Sequence, residues 1–233
     1  MSKNILHQTS WAKSVNGNDI ELFSSETKNE SPILFIGGVH GDEPEGVKLA
    51  QDLLIWLQKN NTFVNPQALE PWMLIPCLNI DGFMIKQRMN AAGVDLNRNF
   101  PSRDWSAAAK SPRYFPGPHP GSEPEVSALV TLIESTKPKL IVHFHSWEPC
   151  IVYTGSPGKN AAELIGKDTG YAISEDIGYP TPGSLGQFGW LEKAVPVICI
   201  EAQEGADLDS LWPTFGSGLK NLLTKDAREK LEL

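Results

Sequence analysis

In the stretch GGVHGDEPEG, Gly37 to Gly46, His40 and Glu43 stand three residues apart between glycines. A histidine and a carboxylate so spaced can reach one metal ion from a single turn, provided a third ligand arrives from elsewhere in the chain. Three later segments offer partners. LNIDG leads through FMIKQRMNAAG into VDLNRNFP, which brings Arg88, Asp95, Asn97 and Arg98. LIVHFHSW carries His143 and His145, and VPVICIEAQEG carries Glu201 and Glu204. Two histidines and a glutamate, with one position left to water, form a catalytic zinc set, softer than the all-oxygen sites of magnesium or calcium. Zinc lowers the pKa of its water to ~7, and a further carboxylate is then needed as general base. Glu201, at the end of an apolar run, is placed for that task. Either His143 or His145 can be the third ligand, because residues two apart on a strand face the same way. The other is then structural. Ordinary readings cover the remainder: Asn97 and Arg98 alone fit a capped turn, and Glu204 fits a solvated turn acid. His7 and His119 have no evident partners and are read as incidental.

The elements that must position these residues are legible as two alternating patterns. Short continuous apolar runs, IELF (20–23), PILFIGG (32–38), WMLIPCLNI (72–80), LIVHFH (140–145), IVYTG (151–155) and VPVICIEA (195–202), read as strands covered on both faces. The segment 44–60 places Val47, Ala50, Leu53, Leu54 and Leu57 on one helical stripe. Segment 122–136 reads as a helix opened by Ser122 and acids, and the tail from Leu211 reads as a helix ending in a charged turn. Strands alternating with helices predict a single-domain α/β sandwich over residues 1–233, with a largely parallel or mixed sheet. Sites in such folds gather at the carboxyl ends of strands, where all four candidate segments fall. The Pro/Gly/Ser-rich stretch 101–121 is too long for a tight turn, so it is a functional loop or a surface excursion.

Bulk properties narrow the partners. The chain has 233 residues, 40% apolar and 21% charged, with a net charge of −8. That balance argues for a soluble globular protein, and against nucleic acid or an anionic membrane as partner. The opening MSKNILHQTSWAKSVNGND lacks the apolar segment and cleavage site of a secretory signal. Three cysteines, Cys77, Cys150 and Cys199, set far apart in apolar runs, suggest buried thiols and a cytoplasmic location. The oligomeric state is not legible.

GGVHGDEPEG, LNIDG…RMNAAGVDLNRNFP, GPHPGSEPE, FHSWEPCIVY and CIEAQEG, in this order, resemble the zinc carboxypeptidase family, nearest to its short bacterial branch of murein peptide amidases. The most specific string is R-x-N-x-x-G-V-D-L-N-R-N-F-P, from Arg88 to Pro101. The spacing also fits, with 105 residues from His40 to His145 and 56 more to Glu201. The resemblance implies a zinc carboxypeptidase-like fold, a three-layer α/β sandwich with a mixed central sheet and helices on both faces, and one zinc ion held by His40, Glu43 and His145. It implies Glu201 as general base and Arg88 as the group that polarises the scissile carbonyl. Asn97 and Arg98 would grip the substrate's terminal carboxylate, and Asp95 would bond His40. The family's substrate-capping tyrosine points to Tyr179, within a stretch, GYPTPGSLGQFGW, that departs from the family pattern. Gly183 to Gly189 would help line the specificity pocket. The implied activity is hydrolysis of a small peptide with a free carboxylate, the γ-D-glutamyl–meso-diaminopimelate bond of murein peptides. The alternative is an N-acyl amino acid deacylase of the aspartoacylase or succinylglutamate desuccinylase type.

Overall fold

The structure, a computed structural model, describes residues 5–26, 31–60 and 69–224. Its core is one eight-stranded mixed sheet in the order β1-β2-β4-β3-β5-β8-β6-β7. The strands are β1 (Ile5–Lys13), β2 (Asp19–Ser25), β3 (Ile33–Ile36), β4 (Trp72–Ile75), β5 (Leu140–Trp147), β6 (Cys150–Thr154), β7 (Ala172–Ser174) and β8 (Val197–Gln203). The helices are α1 (Pro44–Asn60), α2 (Ile80–Ile85), α3 (Pro124–Thr136), α4 (Gly158–Gly166), the single turn α5 (Leu185–Gln187) and α6 (Leu208–Leu222). The central strands β4, β3, β5 and β8 run parallel, while β1, β2 and β6 join antiparallel.

The apolar runs are buried on both sides, as their continuity requires. All four residues of β3 are buried, and so is β5 from Leu140 to Ser146. One face of the sheet packs against α1, α4 and α6 through Leu53, Leu57, Ile165, Phe215 and Leu219. The other packs against α3 and the α5 region through Val126, Leu129, Ile133, Leu185 and Phe188. This is the expected three-layer arrangement. The stripe Val47, Ala50, Leu53, Leu54, Leu57 is buried, and α1 keeps the bounds 44–60, with Pro44 at its first position and Lys59 in its last turn.

Several expectations shift. WMLIPCLNI is not one strand: β4 stops at Ile75 before Pro76, whose ring cannot donate a ladder hydrogen bond. Asn79 then caps α2 by accepting from the Gly82 amide at 3.0 Å. Ser122 is not the cap of α3. Glu123 holds that position without a side-chain capping bond to the helix, and Pro124 starts the helix. The tail helix begins at Leu208 rather than Leu211, capped by Asp207, and its charged end beyond Thr224 lies outside the described residues. Neither Glu201 nor His145 is the last residue of its strand, since β8 and β5 each run two residues further. β1, β7 and α4 have no counterpart among the apolar runs; β1 is a polar, mostly exposed edge. Among the described residues no helix is long and apolar enough to cross a membrane.

Candidate active site

After β3 the chain returns to one side of it as β4 and later to the other as β5. At such a switch the loops at the strand ends diverge and open a crevice. His40 enters it from the turn between β3 and α1. The turn needs its glycines. Gly38 has φ +60°, and a Cβ on Gly41 would lie 2.1 Å from the Gly82 carbonyl carbon. Glu43 follows just before α1. His145 and Glu201 come from adjacent parallel strands in direct register, so both side chains emerge on one face.

The three candidate ligands converge. Glu43 Oε1 is 2.7 Å from His40 Nδ1, Glu43 Oε2 is 2.7 Å from His145 Nδ1, and the two Nδ1 atoms are 3.0 Å apart. All three residues are buried, with ligand atoms mutually within 4.8 Å. A carboxylate and two imidazole nitrogens aimed at one point suit zinc. Burial alone would raise the Glu43 pKa, but the facing imidazoles hold it well below the usual carboxylate range.

Asp95 ties the constellation together. It is fully buried, with Oδ1 3.2 Å from His40 Nε2 and Oδ2 accepting from Arg88 Nε at 3.0 Å. It also accepts the Asn97 amide at 2.9 Å. Burial opposes its ionisation, yet His40 and Arg88 outweigh that and keep it strongly acidic. Arg88 reaches Glu43 Oε1 at 3.3 Å. Burial and the Arg88 charge depress the His40 pKa, while Glu43 and Asp95 raise it, and the net shift is upward. Glu201 is buried against this cluster, accepting from Cys199 Sγ at 3.3 Å, and burial raises its pKa despite the nearby His145.

Arg98 and Asn97 stand beside the cluster. Arg98 donates Nη1 to the Asn97 carbonyl at 2.6 Å, and Asn97 Oδ1 accepts the Leu185 amide at 2.9 Å. Asn97 also lines the cavity. Tyr179 is on the rim, its ring edge-on to Trp147 with centroids 5.8 Å apart. A cavity of about 700 Å³ joins Arg88, Asn97, Arg98, Tyr179 and Glu201 to the three candidate ligands. Of the stretch 183–189, expected to help line the pocket, Ser184, Gly186 and Gln187 reach the same cavity, while Asp95 is buried behind it.

Some site features escaped the sequence reading. Of the two readings of 101–121 the functional loop holds, but Tyr114 was not singled out in it: its ring faces Arg88 and Arg98, with the guanidinium carbons 5.3 and 5.7 Å from its centroid. Its only signal was its place in a long Pro-rich loop. Glu175 and Asp176 line the far wall of the cavity from the turn after β7, a strand with no apolar run to reveal it. His143 and Cys199 lie beside His145 and Glu201 in the cavity lining. Exposed Glu204, also on the cavity rim, has its backbone tied to Trp147. His7 has a partner after all, Glu21 across the β1–β2 pair at 2.8 Å, far from the site. His119 is exposed.

The sequence of the chain matches the family model described as zinc carboxypeptidase over residues 1–177. The chain belongs to the zinc carboxypeptidase family. It is a zinc-dependent hydrolase that uses one zinc ion, and this membership favours the peptidase reading over the N-acyl amino acid deacylase. Murein peptide amidase A of Vibrio campbellii is 31% identical over 209 residues, 84% of this chain and 79% of that protein. The crystal structure of murein-tripeptide amidase MpaA from Escherichia coli O157 superposes with a TM-score of 0.76 at 27% identity, covering 93% of this chain and 90% of that one. Carboxypeptidase A from Helicoverpa armigera superposes at 0.79 with 17% identity, over 93% of this chain and 67% of that one, which shows the shared fold.

Proposed function

We propose that this zinc carboxypeptidase relative is an amidase acting on a small peptide with a free carboxylate, specifically the γ-D-glutamyl–meso-diaminopimelate bond of murein peptides. The observation that carries the reading is the convergence of His40, Glu43 and His145 in one cavity with Glu201, Arg88 and Arg98. The likeness to proteins named murein peptide amidase supports the substrate class.

His40, Glu43 and His145 would hold the zinc, which would supply Lewis acidity and a water nucleophile at neutral pH. Glu201 takes the proton of the attacking water and delivers it to the departing amine, a transfer contributing typically 10²–10⁴-fold. Arg88, fixed by Asp95, meets the negative charge that develops on the carbonyl oxygen. Asn97 and the N–H groups of Arg98 not bonded to Asn97 grip the substrate's terminal carboxylate, for which a planar guanidinium is suited. Tyr179, at the rim, covers the bound peptide. The chain works as one catalytic domain in the cytoplasm, in keeping with its three free cysteines.

The test is mass spectrometry of purified protein incubated with a murein tripeptide, ordinary α-linked peptides and N-acyl amino acids, with and without a chelator. Chelator-sensitive release of free diaminopimelate is expected. Exclusive cleavage of N-acyl amino acids would overturn the assignment.

A further inference from the structure

In the proposed reading, on which this inference rests, His145 binds zinc through Nδ1, and the other ring nitrogen decides how firmly that ligand is aimed. His145 Nε2 lies 2.8 Å from His143 Nδ1. The two rings meet edge to face, 88° apart in plane with centroids at 4.7 Å, and both residues are 2% exposed. The contact is built into β5, since residues two apart on a strand face the same way. His143 is also hemmed in by the neighbouring strands, with Ile36 of β3 and Cys199 of β8 as its register partners.

The proton inventory then has one solution. A neutral imidazole that coordinates through the Nδ1 lone pair carries its proton on Nε2, and that N–H must donate. The atom facing it is His143 Nδ1, which accepts only if the proton of His143 sits on its own Nε2. We propose that His143 is a positioning residue, a neutral imidazole acceptor that fixes the tautomer and ring plane of the metal ligand His145. His40 is held the same way by a different group, the Asp95 carboxylate 3.2 Å from its Nε2. One ligand thus leans on an anion and the other on a neutral ring. The choice adds no further negative charge to a site that already contains Glu43, Asp95 and Glu201.

A competing arrangement exists in the same place. His143, His145 and Cys199 also offer ligand atoms within 4.8 Å of one another, enough to hold a second ion. The experiment separates the two. Zinc stoichiometry and affinity are measured by competition with a chromogenic chelator for the wild type, His143→Leu, His143→Gln, Cys199→Ala and His145→Ala, with circular dichroism to confirm folding. One zinc per chain is expected. His143→Leu, which has no acceptor, should bind it about 10–100-fold more weakly. His143→Gln, whose amide oxygen can accept, should recover part of the loss. The visible spectrum of the cobalt-substituted protein should change in His143→Leu as the ligand field distorts. Unchanged affinity in His143→Leu overturns the inference. So does a second zinc lost in both His143→Leu and Cys199→Ala, because His143 would then be a ligand. Wild-type affinity in His145→Ala is a separate failure, that of the ligand assignment itself.

Discussion

Asp42, Glu43 and Glu45 sit within four residues of one turn and meet three different fates. Asp42 reaches out to Arg113 at 2.9 Å. Glu43 faces the two histidines. Glu45 is buried, accepting from the Ser146 hydroxyl and the Gly205 amide at 2.7 Å each, which ties α1 to the ends of β5 and β8. At this scale the roles separate by substitution. Alanine at His40, Glu43 or His145 should remove most bound zinc, as read by metal analysis of the purified variants. Glu201→Gln keeps the size of the side chain but removes the base, so turnover should fall by about 10²–10⁴ with zinc content unchanged. Glu204→Gln, on an exposed residue, should stay near wild type; the reverse pattern would sink the Glu201 assignment. Arg98→Ala should weaken hydrolysis of a free-acid peptide and leave the slow hydrolysis of its amidated analogue nearly unchanged. Equal losses on both substrates would mean that Arg98 anchors something other than the carboxylate.

At the scale of elements, the segment from Arg88 to Pro101 owes its rigidity to asparagines rather than to regular structure. Asn90 accepts the Ala92 and Val94 amides and donates to Glu123 and Glu125. Asn99 donates to the Pro116 and His119 carbonyls and to Ser122 Oγ, and accepts the Glu123 amide. These bonds clamp the loop carrying Tyr114 onto the strip carrying Arg98. Asn99→Ala strands buried backbone groups around Pro116 and Glu123 and should cost about 1–3 kcal/mol, measurable by urea denaturation. KM should rise with it, because Tyr114 and Arg98 lose their common support. A stability within a few tenths of a kcal/mol of wild type would show that water replaces the clamp. This element was half legible. The string NRNFP marked a site, but its two asparagines find their partners far along the chain, Asn97 at Leu185 and Asn99 at Glu123, and no local pattern encodes those bonds.

At the scale of the whole molecule, the proposed zinc site would act as a cross-brace. An ion on His40, Glu43 and His145 would join the β3–α1 turn to the middle of the sheet, and a ligand bound only by the native state stabilises that state by mass action. Chelation should therefore lower the melting temperature, and free zinc at 100 times its dissociation constant should restore about 2.7 kcal/mol. A melting temperature indifferent to chelator would mean that the native state binds the ion no more tightly than the unfolded chain does. The sequence determined the parts of this protein that local physics controls. Continuous apolar runs became the central strands because both sides of those strands are covered. The stripe 44–60 became a buried helix face, and the two-residue spacing of His143 and His145 put both on one side. Tertiary structure alone decided what each shared side is used for. Which histidine meets Glu43 depends on the register of β5 against β8 and on how far the β3 turn reaches. The polar edge β1, the short β7 and the ring of Tyr114 were invisible because their places come from pairing and packing with distant residues. An apolar pattern reports whether a side chain is buried; only the assembled fold specifies which groups it is buried against.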